Sequence, residues 1–156
     1  MTPEHRRLIE RIRSSAQIVR LAVEAAPRER FDVPPKPGEW SALETLTHLR
    51  DVIVHVYGLR MRRLFYEHAP VFADFDEEAY RPASLARGES VEYLLDTFLG
   101  EQEQLARLLE AVPDAEWALE GTHPKYGVMS IEFLARRCGE HAEEHAAQIA
   151  AAVRGS

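Results

Sequence analysis

Apolar positions recur at three- and four-residue steps in four separate stretches of this chain, and each stretch reads as one amphipathic helix. In the first, Leu8, Ile12, Val19, Ala22, Val23 and Ala26 form a single stripe. Thr2-Pro3-Glu4 opens it with a capping hydroxyl, a proline at the first helical position and an acid in the first turn. Pro27 stops it. The segment from Phe31 to Gly38 carries Pro34, Pro35 and Pro37 and reads as an extended connector. Ser41-Ala42-Leu43-Glu44 has the form of a capping box. It announces a second helix, whose stripe of Leu46, Leu49, Ile53, Val56, Tyr57 and Leu64 runs to about Glu67. The third helix runs from about Ser90 to Val112 through Leu94, Leu95, Phe98, Leu105, Leu108 and Leu109, and Pro113 closes it. Ser130 caps the fourth, which reaches about Val153 with Ile131, Leu134, Cys138 and Ile149 facing inward.

Two long connections separate these helices. Residues 68 to 88 hold Pro70, Pro82 and Gly88 with little periodicity, and the stretch after Pro113 holds Gly121, Pro124 and Gly127. No segment reads as a strand. Four stripes bury one another most simply in an all-α four-helix bundle, a single domain over residues 1–156. A helix of ~25 residues is about 38 Å long. A 20-residue connection extends to roughly 66 Å, enough to return along the whole bundle. The second and third helices are therefore expected to run parallel across a crossover, with the second antiparallel to the fourth.

Composition narrows the function. Hydrophobic residues are 46% and charged residues 29% of the chain, as in ordinary globular proteins. The formal charge is −7 and the basic residues are scattered, so no basic footprint for phosphates exists and nucleic-acid binding is disfavoured. Cys138 is the one cysteine, which excludes an intramolecular disulfide scaffold. The first residues lead into a charged amphipathic run without an apolar leader, and no uncharged stretch suggests a membrane span. The cytoplasm is the expected location.

Histidines carry the candidate chemistry. His141 and His145 lie one turn apart on a helix face that also presents Leu134, Cys138 and Ile149. Two imidazoles so placed converge on one metal ion at roughly 2.0–2.1 Å. Buried imidazoles need partners for their nitrogens, and a shared cation supplies one. His48 lies in the stripe of the second helix and, if that helix is antiparallel to the fourth, at nearly the height of His145. His55 is about 10.5 Å further along the axis, too far to share the ion. His5, His68 and His123 read as solvent-facing. Cys138 reads as a small core residue rather than a ligand. Glu44 and Asp51 flank His48 and are candidates to orient it or to complete the metal shell. The competing reading makes these histidines ordinary core residues with hydrogen-bond partners.

Pro37-Gly38-Glu39-Trp40-Ser41 followed by Leu46-Thr47-His48-Leu49-Arg50-Asp51 resembles the second-helix signature of the DinB superfamily. Tyr126-Gly127-Val128-Met129-Ser130, leading into His141-Ala142-Glu143-Glu144-His145-Ala146-Ala147-Gln148-Ile149, is similar to its closing motif. The resemblance spans essentially the whole chain. It implies an up-down-down-up bundle, often a homodimer, with a divalent metal (zinc or nickel) on His48, His141 and His145. It also implies a small-molecule substrate, either by thiol-dependent S-transfer involving a low-molecular-weight thiol or by hydrolysis. A non-catalytic, stress-related metal-binding role is the third reading, and a plain helical interaction module the fourth. Three neutral ligands leave a divalent ion its full charge and open positions, and so acidify a thiol or water there. No HExxH motif or Ser-His-Asp arrangement is present. Trp40, Tyr57 and Tyr126 are candidates to line the mouth of the site.

Overall fold

Every one of the four predicted stripes folds as helix, and each begins at the cap its sequence supplies. The computed structural model describes residues 1–154; the last two residues of the predicted domain lie outside the described residues. Helix α1 spans Pro3–Ala25, and the Thr2 hydroxyl accepts the backbone N–H of His5 at 3.1 Å. Helix α2 spans Ala42–Val52 behind a complete capping box: Glu44 N–H donates to Ser41 Oγ at 3.1 Å and Ser41 N–H to Glu44 Oε2 at 2.8 Å. The path continues without a break through a π-helical segment, Ile53–Gly58, into α3, Leu59–Tyr66. Gly58 is obligatory in that wider turn, since a Cβ there would stand 2.6 Å from the carbonyl oxygen of Ile53. Ser90 caps α5, Val91–Glu110, and Ser130 Oγ accepts the N–H of Phe133 at the head of α6, Ile131–Arg154.

Helices α1, α2–α3, α5 and α6 form a four-helix bundle in up-down-down-up order. Both α1 and α2 pack against α5 and α6, so the first two helices sit diagonally. The predicted inward positions are buried, with Ala22, Val56, Leu108 and Val153 half-buried at its margin. Ile12, Val19, Leu46, Met61, Leu105 and Ile149 have no measurable exposure. Cys138 is buried among them, and its thiol donates to Gln102 Oε1. Among the described residues no helix is long and apolar enough to cross a membrane.

Two connections hold structure that the sequence reading left irregular. Residues 77–86 of the crossover form a further helix, α4 (Glu77–Ala86), capped by Asp76. Pro82 sits inside it and removes one backbone donor, which masked the helix from the sequence pattern. A buried polar knot ties α4 to α2: Ser84 Oγ donates to Asp51 Oδ1 at 3.0 Å, and Arg50 bridges Asp51 and Glu89. The second connection contains an antiparallel hairpin, β1 (Glu120–His123) with β2 (Gly127–Ser130), so the expectation of no strand is corrected. These strands are four residues long and lack an alternating apolar run, hence their invisibility in the sequence. The crossover begins pinned to β1, with Phe72 N–H donating to Thr122 O and Thr122 N–H to Pro70 O, both at 2.9 Å.

Candidate metal centre

Helices α2 and α6 bring His48, His141 and His145 together. Nε2 of His141 lies 3.1 Å from Nε2 of His48 and 3.1 Å from Nε2 of His145. One donor atom from each ring falls within 4.8 Å of the others. His48 is 4% exposed and the two α6 rings are half-buried. The i,i+4 spacing on α6 sets one pair of roots, and the α2–α6 packing supplies the third ring from across the bundle.

The outer faces of two rings are engaged. Nδ1 of His145 donates to Gln148 Oε1 at 2.7 Å, which leaves its Nε2 bare. Nδ1 of His48 stands 3.0 Å from Glu77 Oε2, at the first turn of α4, which favours the same tautomer. His141 has one Nε2 and can donate to only one of its two neighbours. At least two lone pairs are therefore aimed into the same buried space. Desolvation, with the neighbouring His145 and Arg81 charges, holds the His48 ring down to about 4. Burial first, then His145 and His48, depresses His141 as well, and burial depresses His145. The centre is a set of neutral nitrogen donors. Two nitrogens bound at roughly 2.0–2.1 Å around one tetrahedral ion stand about 3.3 Å apart, close to the spacing found here. This donor set fits a divalent cation.

Trp40 and Tyr57 flank the three rings. The Trp40 ring centre is 5.1 Å from that of His48, and Tyr57 is 5.6 Å from His141. Burial pushes the Tyr57 phenol up, so it stays protonated. Arg81 of α4 covers Trp40 at 4.1 Å. On the His145 side a cleft of about 540 Å³ opens to solvent, lined by Trp40, Lys36, Glu39, Gln148 and Ala151 among others.

Other sequence candidates fall elsewhere. Tyr126 is exposed and stacks on His123, away from the three-histidine group. Glu44 is held in the capping box and Asp51 in the knot with Arg50 and Ser84, so neither orients His48. Glu77 takes that position, and it escaped the sequence reading because α4 did. His55 Nε2 is hydrogen-bonded with the Tyr80 hydroxyl at 2.9 Å, outside the cluster. His68 is exposed, as expected. His5 and His123 are not solvent-facing. His5 stacks on Trp117 at 4.0 Å and pairs with Asp114 at 2.8 Å, while His123, 1% exposed, accepts the backbone N–H groups of Lys125 and Tyr126.

Comparison with known proteins identifies the family and the fold. A protein of Geobacillus thermodenitrificans named "Putative metal-dependent hydrolase" is 26% identical over 145 residues, covering 90% of this chain and 79% of that protein. Among solved structures, YfiT from Bacillus subtilis, described as "a probable metal-dependent hydrolase with an unusual four-helix bundle topology", matches with a TM-score of 0.83. That likeness, at 19% identity, covers 100% of this chain and 91% of YfiT and establishes the shared fold. The sequence pattern of the DinB superfamily matches residues 11–149, nearly the full length, and the chain belongs to that superfamily.

Proposed function

We propose that this chain is a single-domain metal-dependent enzyme acting on a small molecule, with His48, His141 and His145 as the ligands of a divalent ion, zinc or nickel. The observation that carries the reading is the convergence of three Nε2 atoms, with the outer nitrogen of His145 hydrogen-bonded to Gln148 and that of His48 3.0 Å from Glu77. Such an ion, when bound, acidifies a small nucleophile and polarises an electrophile. The chain's own residues hold the rings neutral, screen one side with Trp40 and Tyr57, and leave the His145 side open to a cleft of about 540 Å³. Among the described residues no carboxylate joins the three converging nitrogens, and Glu77 stands on the outer nitrogen of His48 instead. Chemistry that needs no carboxylate there, conjugation of a low-molecular-weight thiol with an electrophile, is the reading this arrangement favours.

Hydrolysis of a small substrate is the second reading, and the names carried by both relatives favour it. One experiment separates the two. Protein reconstituted with zinc or nickel is offered electrophiles with and without a panel of thiols, beside His141→Ala. Thiol consumption that collapses in the variant supports transfer, and turnover without thiol supports hydrolysis. Full activity in His141→Ala removes the metal from the mechanism. No turnover with stoichiometric metal supports a metal-binding protein without catalysis. A cytoplasmic homodimer is the form we propose for the working protein, and sedimentation of the loaded chain tests the dimer.

A further inference from the structure

Arg60 is a buried cation with no carboxylate in ion-pair contact, Asp74 acting on it only at longer range. It is 7% exposed, and its two Nη atoms donate to Ala73 O at 3.1 Å and Met129 Sδ at 3.8 Å, both uncharged. No carboxylate stands within ion-pair distance of it among the described residues, whereas the neighbouring Arg63 is closed in a bidentate pair with Glu67. A guanidinium carries five N–H groups. Three of those on Arg60, including the one on Nε, therefore have no acceptor here. A charge taken out of water without a partner is costly, and proteins that carry one usually meet it with a ligand or a counter-charge.

The space beside it has a defined shape. A cavity of about 170 Å³ is bounded by Arg60, Arg63, Leu59, His55, Phe72 and Phe75. The ring of Phe72 lies 5.7 Å from both guanidinium carbons, and Phe75 stacks with His55 at 5.6 Å, so the walls are aromatic and the floor is cationic. Asp74 also borders the cavity, but its Oδ1 stands 3.3 Å from His123 Nε2, which must carry a proton because Nδ1 accepts two backbone N–H groups. The two do not form a hydrogen bond, and the Asp74 charge acts on Arg60 at longer range. None of the three clustered histidines lines this cavity.

We infer that the pocket between α3 and the Phe72–Phe75 segment is a second binding site, for a small carboxylate with an apolar or aromatic body. The carboxylate takes the unfilled N–H fork of Arg60, in the paired geometry that guanidinium and carboxylate share. The body lies against Phe72, Phe75 and Leu59. The volume admits a body of about one ring and excludes large ligands.

Calorimetric titration of the full-length protein with benzoate tests the assignment, with the neutral isostere benzamide and inorganic phosphate as comparison probes at matched ionic strength. Saturable benzoate binding is expected, with benzamide and phosphate each about tenfold weaker or worse. Arg60→Met should abolish the binding. Leu59→Trp, which keeps Arg60 and fills the mouth from a half-exposed position, should weaken it about tenfold or more. If Arg60→Met fails to fold, the Leu59→Trp titration decides. No saturable benzoate binding overturns the inference, as does benzamide binding equally well. Phosphate binding more tightly than benzoate overturns the apolar-body assignment. Benzoate binding unchanged in both variants lies elsewhere on the protein and also overturns it.

Discussion

Oε2 of Glu77 reaches to within 3.0 Å of Nδ1 of His48, joining the first turn of α4 to the middle of α2. A carboxylate on the outer nitrogen fixes ring orientation and raises the basicity of the inner one. Glu77→Ala is expected to weaken metal binding by about 10–100-fold, with Glu77→Gln intermediate, as read by competition with a chromophoric chelator. Equal affinities in all three proteins would remove Glu77 from the centre.

Acid should loosen the metal-free fold through its histidines. The folded state holds His48 at about 4 against an ordinary 6.5, and His141 is depressed too. The unfolded chain therefore binds more protons between those values, so stability is complete above pH 6.5 and falls as pH drops toward 4. For His48 the full difference is about 3 kcal/mol. Urea midpoints of chelator-treated protein at about pH 7 and about pH 4.5 should show the loss, and His48→Gln should reduce it.

The polar knot under α4 is expected to be costly to open. Arg50 is 6% exposed and divides its donors between Glu89, at 2.7 and 2.8 Å, and Asp51. Glu89→Ala removes the larger share of its counter-charge and should destabilise the fold by about 3 kcal/mol in urea unfolding. Because Ser84 and Glu77 lie on the same ten-residue helix, the variant should also lower metal affinity.

Gly121 marks a close contact between crossover and hairpin. A Cβ there would stand 2.7 Å from both the Phe72 ring and the Pro70 carbonyl oxygen. Gly121→Ala should cost about 1–3 kcal/mol, read as a lowered thermal midpoint. An unchanged midpoint would mean that the pairing of Phe72 with Thr122 is looser than described.

The bundle was legible because its information is local. Thr2, Ser41 and Ser130 each sit where a helix needs an acceptor, and the stripes they introduce are long enough for a 3.6-residue period to stand out. The three histidines were legible for the same reason, with two on one helix face and a third at matching height. What escaped depends on tertiary contact. Helix α4 has ten residues with a proline among them, and its position comes from Ser84 and its buried partners rather than from periodicity. The hairpin is held by Gly121 fitting against Phe72 across some fifty residues of sequence. His5 and His123 look polar in the sequence and are buried only because Trp117 and the Lys125–Tyr126 turn cover them.

The wide turn at Ile53–Gly58 gives the second bundle helix a joint in its angular register. A regular α-helix advances by roughly 100° per residue, so the direction of Arg60 would be dictated by that of His48. With one broader turn between them, the two halves are phased independently: the upstream half aims an imidazole across at α6, and the downstream half aims a guanidinium at the crossover. Shortening that turn by a single residue would keep the helix and swing one of these two side chains away from its partners.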